Sequence, residues 1–242
     1  MPAGTYALII AGPNEDAGAT GDLDISGAVT IIGASANATV IQAGATPGSG
    51  IDRVFHVTGA VSSIPQNLKI ANGKASIGVG IYNKQWCVVL ISNVSFSGNS
   101  ASGSGGGVYN LAGSTATLRN TIVGSSASGG DCVGALSTSS HHNLSHHNLI
   151  ESTGANACNL THGVNGNIIG LNPRLGGLTG SPAYRPLLPS SPAIDKGNNT
   201  SCPSGDQRGI ARPPDGDRNG VAICDIGAYE RLLYTCLPRV TR

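Results

Sequence analysis

Gly80-Ile81-Tyr82-Asn83 returns as Gly107-Val108-Tyr109-Asn110, a step of 27 residues. Working outward, Asn93 in Ile91-Ser92-Asn93-Val94-Ser95-Phe96 meets Asn120 in Leu118-Arg119-Asn120 at the same step of 27. Asn67, in Asn67-Leu68-Lys69-Ile70, precedes Asn93 by 26. Three coils therefore share one register. Self-similarity at such a period marks a solenoid, because one repeat is too short to bury its own apolar face. The alternations Leu68-x-Ile70 and Val94-x-Phe96 have the period of two that strands have, so the solenoid is built from β-structure. Stacking at about 4.8 Å would turn inward Val, Ile, Leu and Phe into continuous ladders, with a similar asparagine ladder expected at the turns. The expected fold is all-β, a right-handed parallel β-helix.

Composition agrees. Glycine is 36 of 242 residues, twice the usual share of about 7%, while aromatic residues are 4% and charged residues 11%. Such a chain suits short strands joined by tight turns and has few of the Glu–Lys pairs that support helices. Lys plus Arg is 14 and Asp plus Glu is 13, and a net charge of +1 gives no field to attract nucleic acid or an anionic membrane. No stretch is apolar enough for a membrane span.

The alternating segments Leu8-x-Ile10, Leu23-x-Ile25, Val29-x-Ile31 and Phe55-x-Val57 extend the helix back toward the start. The chain opens at Met1-Pro-Ala-Gly-Thr-Tyr, which reads as the middle of a strand repeat. A signal peptide and a first coil are thus expected to precede it. Coils are expected over residues 1–172. Residues 173–242 hold most of the prolines with little alternation, and are expected to form an irregular cap packed on the last coil, covering its unpaired strand edge.

Cys87, Cys132, Cys158, Cys202, Cys224 and Cys236 form no CxxC pair, which argues for disulfides in an oxidising compartment rather than a zinc ribbon. Cys132 with Cys158 and Cys202 with Cys224 are the favoured pairs, since each closes one loop between neighbouring segments. Sequence leaves the other connectivities open.

Three C-terminal motifs are specific: Ser190-Ser191-Pro192-Ala193-Ile194-Asp195-Lys196-Gly197, Asp206-Gln207-Arg208-Gly209-Ile210-Ala211-Arg212-Pro213 and Cys224-Asp225-Ile226-Gly227-Ala228-Tyr229-Glu230. Together they resemble the choice-of-anchor Q domain family, and the resemblance spans most of residues 1–230. It implies a bacterial surface or secreted β-helix protein ending in an anchoring signal. No hydrophobic tail or sorting motif follows Glu230 in Arg231–Arg242. A shorter, Gly-rich stretch, Asn99-Ser100-Ala101 with Gly105-Gly106-Gly107-Val108-Tyr109-Asn110, is similar to the repeats of polymorphic outer membrane proteins.

Several residues could carry chemistry. Asp215-Gly216-Asp217-Arg218-Asn219-Gly220 places oxygen ligands at alternating positions, as at the start of a calcium loop, and Asp225 could close a site for a structural calcium. The twelfth position from Asp215 is Ile226 rather than Glu, which excludes an EF-hand, and an acidic surface turn is the alternative. His141-His142 and His146-His147 could share a metal, or record a five-residue duplication in an inserted loop. Tyr82 and Tyr109, at equivalent coil positions, and Trp86 offer an aromatic platform for sugar rings, although such ladders also serve packing alone.

Solenoids also host polysaccharide lyases and hydrolases, which need an acid, a base and a cation. His56, Lys84 and Arg119 are the catalytic candidates, beside Asp52, Lys69 and Lys74, but they are scattered and none repeat at coil spacing. Lys69 and Lys84 then read as surface charges that keep the coils soluble. Asp206, Arg208, Arg212 and Asp225 read as an internal ion-pair and hydrogen-bond network holding the cap to the last coil. The expected function is a non-catalytic extracellular or cell-surface module, a monomeric spacer or adhesin with glycan as its partner. The alternative is a lyase or hydrolase of acidic polysaccharide.

Overall fold

The computed structural model describes residues 1–12, 16–33, 39–59, 62–84, 86–136, 145–180 and 184–232. Among them there is no α-helix, and four parallel sheets stack into a β-solenoid. A seven-stranded sheet runs through Gly4–Ala7, Thr39–Gln42, Lys69–Ala71, Ser95–Ser97, Ile122–Val123, Leu149–Ile150 and Ile168–Ile169. A five-stranded sheet joins Leu23–Ile25, Phe55–Val57, Ile81–Asn83, Val108–Asn110 and Cys132–Val133. Val29–Ile32, Ser62–Gln66, Val88–Ser92 and Thr115–Arg119 form a third sheet, and Lys74–Ile77 pairs with Ser100–Ser104 in the fourth.

The repeat that decided the fold pairs residue for residue: Ile81 with Val108, Tyr82 with Tyr109 and Asn83 with Asn110. Alternation then sorts each strand. Ile41, Ile70, Phe96, Val123 and Ile150 align across the seven-stranded sheet and point into one core with Phe55, Ile81 and Val108. The expected strand Leu8-x-Ile10 does not form. The first strand among the described residues is Gly4–Ala7, and Ile9 and Ile10, which follow it, lie exposed.

The asparagines divide into two kinds. Asn67, Asn93 and Asn120 take positive φ (53°, 55° and 45°), the left-handed corner that Asn tolerates better than most residues. Their side chains do not ladder with one another. The amide ladders form elsewhere: Asn83 Nδ2 donates to Asn110 Oδ1 at 2.7 Å, and Asn148 Nδ2 to Asn167 Oδ1 at 3.0 Å. Both pairs are buried, where an amide needs such a partner.

The last sheet strand is Ile168–Ile169. Beyond it the chain doubles back over the outside of the seven-stranded sheet, so its contacts reach well past the last coil. Asn120 Nδ2 donates to the Asn198 carbonyl, and its Oδ1 accepts from the Asn198 N–H at 2.8 Å. Asn93 Nδ2 donates to the Ser201 carbonyl, and the Gly227 N–H donates to the Asn120 carbonyl. Outward Ile122 and Leu149 form a second apolar cluster with Leu187, Ala193, Ile194 and Ile226 of this strap. Gly227 sits at φ 101°, and a Cβ there would meet Ile122 Cδ1 at 2.7 Å and Ser95 Oγ at 2.8 Å, so only glycine lets the strap lie this close.

Candidate functional site

Outward positions of the five-stranded sheet bring the sequence candidates together. Asp24, His56, Tyr82 and Tyr109 are register partners on successive coils, and all four point away from the core. The His56 and Tyr82 rings stack at 5.0 Å, and Tyr109 meets Tyr82 edge-on at 5.6 Å. Arg53 lies 5.3 Å from the Tyr82 ring centroid. Lys84, one residue past the strand, reaches Asp16 at 2.9 Å.

Charges crowd around the imidazole. His56 Nδ1 is 3.2 Å from Asp16 Oδ1 and 3.2 Å from Asp24 Oδ1. The Asp24 side chain is 3% exposed and Asp16 is 55% exposed, so the group is closed on one side and open on the other. Burial and the Arg53 charge hold His56 below its usual range, against the pull of Asp16 and Asp24. Burial pushes Asp22 up to about 7 even though Arg53 Nε lies 2.8 Å from it. The hydrogen bond between Lys84 and Asp16 lowers the carboxyl and raises the amine. Asp22 also lines a cleft with Ala7, Ile10 and Leu23.

His56, Lys84, Tyr82 and Tyr109 therefore share one face, and two other candidates do not join them. Arg119 ends a strand of a different sheet, where it neighbours His146. Trp86 stands 69% exposed in the following turn and its ring meets no other aromatic ring among the described residues. Asp16, Asp22, Asp24 and Arg53 were missed. Asp24 precedes its register partner His56 by 32 residues rather than 27, so the longer first coil hides the alignment.

The C-terminal candidates separate into two groups. Asp195, Asp215 and Asp217 converge, while Asp225 is fully buried elsewhere and accepts the Asp195 and Arg231 N–H groups. The loop satisfies itself in large part: Asp215 accepts from the Asn219 and Gly220 N–H groups, and Asn219 Oδ1 accepts from the Val221 N–H. Asp195 Oδ2 is the exception, buried without a hydrogen bond.

The second group is an internal ion-pair network. Asp206 Oδ2 accepts from Arg208 Nε at 2.9 Å and from the Glu230 N–H at 2.8 Å. Arg212 Nε lies 2.9 Å from Glu230 Oε1, both side chains fully buried. Burial pushes Glu230 up to about 8 against the attraction of Arg212.

Both favoured disulfides are present, Cys132–Cys158 and Cys202–Cys224, while Cys87 is buried in the core and Cys236 lies outside the described residues. His141 and His142 also lie outside them. His146 Nδ1 and His147 Nδ1 are 3.2 Å apart, and burial with the neighbouring His147 and Arg119 charges pushes His146 down to about 4. No helix among the described residues is long and apolar enough to cross a membrane. Comparison with family models, curated proteins and solved structures gives no match.

Proposed function

We propose that this chain is a non-catalytic β-solenoid module of an extracellular or cell-surface protein, adhesin-like, which binds glycan along the outward His56–Tyr82–Tyr109 face. One observation carries the reading: aromatic rings aligned on successive coils, flanked by Arg53, Lys84 and Asp16, give apolar ring surface beside fixed donors and acceptors. The two disulfides fit an oxidising location. The three C-terminal motifs support membership of the choice-of-anchor Q family, and the module acts as a monomer.

Binding to a glycan panel tests the reading. Tyr109→Ala removes the outermost aromatic of the row and is expected to weaken a detected glycan about fivefold, in line with about 1 kcal/mol for one aromatic contact. Equal binding by the variant would sink the proposed face. The enzymatic alternative rests on His56 and Lys84 lying together there, and release of unsaturated uronate or reducing ends from acidic polysaccharide would favour it instead.

Structural calcium belongs to the Asp215 loop, with Asp195 rather than Asp225 completing it. Its support is the unbonded, buried Asp195 Oδ2 beside Asp215 and Asp217. After chelation, added calcium is expected to raise the unfolding midpoint of the wild type and not of Asp217→Asn. An unchanged wild-type midpoint would leave an acidic turn.

A further inference from the structure

We propose that Asp16, Asp24 and His56 form a binding site for a divalent transition-metal ion of the zinc class. This inference shares His56 and Asp16 with the proposed glycan face but does not depend on glycan binding, since zinc alone is the probe.

The geometry comes first. In a tetrahedral site with bonds of about 2.0–2.1 Å, ligand atoms lie about 3.3 Å from one another. His56 Nδ1 lies 3.2 Å from Asp16 Oδ1 and 3.2 Å from Asp24 Oδ1. The ligand atoms of all three residues fall within 4.8 Å of one another. One imidazole nitrogen and two carboxylate oxygens are a donor set that zinc and its neighbours accept, whereas calcium prefers oxygen alone.

A second observation separates this group from an ordinary His–carboxylate contact. Asp24 Oδ1 is buried and takes no hydrogen bond, although Nδ1 is only 3.2 Å away. An imidazole N–H held between two acids would align with one of them. A buried carboxylate oxygen left bare is costly, more so when charged, and a cation between the three atoms would remove that cost. Asp24 Oδ2 is already taken by the Gly18 N–H, which fixes the carboxyl and leaves Oδ1 facing the imidazole. His56 Nε2 is buried without a partner whether or not an ion is bound, so it does not discriminate.

Charge balance points the same way. Asp16, Asp24 and Asp52, with Asp22 raised to about 7 beside them, gather around Arg53 and Lys84, at least three acids against two cations. The stacked Tyr82 ring fixes the imidazole plane, and the half-exposed Asp16 leaves the fourth coordination position on the solvent side. Lys84 Nζ occupies Asp16 Oδ2 and is the local competitor of the ion.

The test uses the full chain, stripped with chelator and titrated with zinc by calorimetry, with cobalt absorption reporting tetrahedral geometry. One zinc per chain is expected at this site. Asp16→Asn changes an exposed side chain that need not affect folding, and is expected to weaken that binding at least tenfold and abolish the cobalt bands. Lys84→Met removes the competitor and is expected to tighten binding severalfold. Asp217→Asn, on the separate acidic loop, is expected to leave zinc binding unchanged. Absence of saturable zinc binding overturns the proposal, and so does binding that is the same in Asp16→Asn as in the wild type.

Discussion

Lys69 shows how far one side chain can depart from the role its charge suggests. It occupies an outward strand position between Val40 and Ser95, where a lysine would normally solvate the surface, yet it is 3% exposed. Burial under the strap, with Arg185 adding like charge, pushes its amine down to about 8. The distance from an ordinary lysine corresponds to about 3 kcal/mol of penalty on the charged form in the folded state. Below about pH 8 both folded and unfolded chains carry the proton, so the whole penalty acts. Between about 8 and 10.5 the unfolded chain still holds a proton that the folded chain has released, and stability climbs with pH. Lys69→Met keeps the volume without the charge. It is expected to be about 1–3 kcal/mol more stable than wild type in urea unfolding at pH 7, with the two converging near pH 10.5. A variant less stable at pH 7, with a gap that does not change with pH, would contradict this account.

Strands and corners divide the sequence into what could be read and what could not. The central coils were legible because their strands recur at near-constant spacing: Ile70, Phe96, Val123 and Ile150 align in one row. The first coils are longer, Gly4 pairing with Thr39 and Leu23 with Phe55, so the step of 27 fails there and the Asp24–His56 alignment with it. The expected asparagine ladder forms at Asn83–Asn110 but fails at Asn67, Asn93 and Asn120 for another reason. At a left-handed corner the amide leaves the coil and meets the strap, as Asn120 does with Asn198. An irregular strap has no period to read, although its paired acids and arginines were legible as an internal network. Among the later coils the covalent tie was also legible. Cys132–Cys158 joins the last strand of the five-stranded sheet to the next coil across 26 residues. Replacing both cysteines with alanine is expected to cost about 3 kcal/mol, measured by the midpoint of denaturant unfolding. A loss under about 1 kcal/mol would mean that the neighbouring parallel pairing already holds these coils together.

A solenoid touches only its neighbours coil by coil, so its stability is a sum of local terms and its ends fray. The strap changes that by linking coils that do not otherwise meet, from Asn93 to Ile168. Arg212 is its hub: Nη1 donates to Asn93 Oδ1 at 3.0 Å, Nη2 donates to the Gly227 carbonyl at 2.7 Å, and Nε faces Glu230. The first strands, Gly4–Ala7 and Val29–Ile32, are half-buried to exposed, and the coil they belong to carries Ile9, Ile10 and Ile32 in solvent. Amide exchange is therefore expected to be faster in Gly4–Ala7 and Val29–Ile32 than in Val88–Ser92, Ser95–Ser97, Ile122–Val123 and Leu149–Ile150. Arg212→Met leaves Glu230 buried without its cation, which costs about 3–5 kcal/mol where the orphan is charged, above about pH 8. The cost shrinks as pH falls below about 8, where Glu230 takes up a proton. In this variant the strands Ser95–Ser97 and Ile122–Val123, which lie under the strap, are expected to lose protection first, with Lys74–Ile77 of the two-stranded sheet following only at global unfolding. Uniform loss of protection across all four sheets would instead show that the strap and coils open as one unit, with no local role for the Arg212 hub.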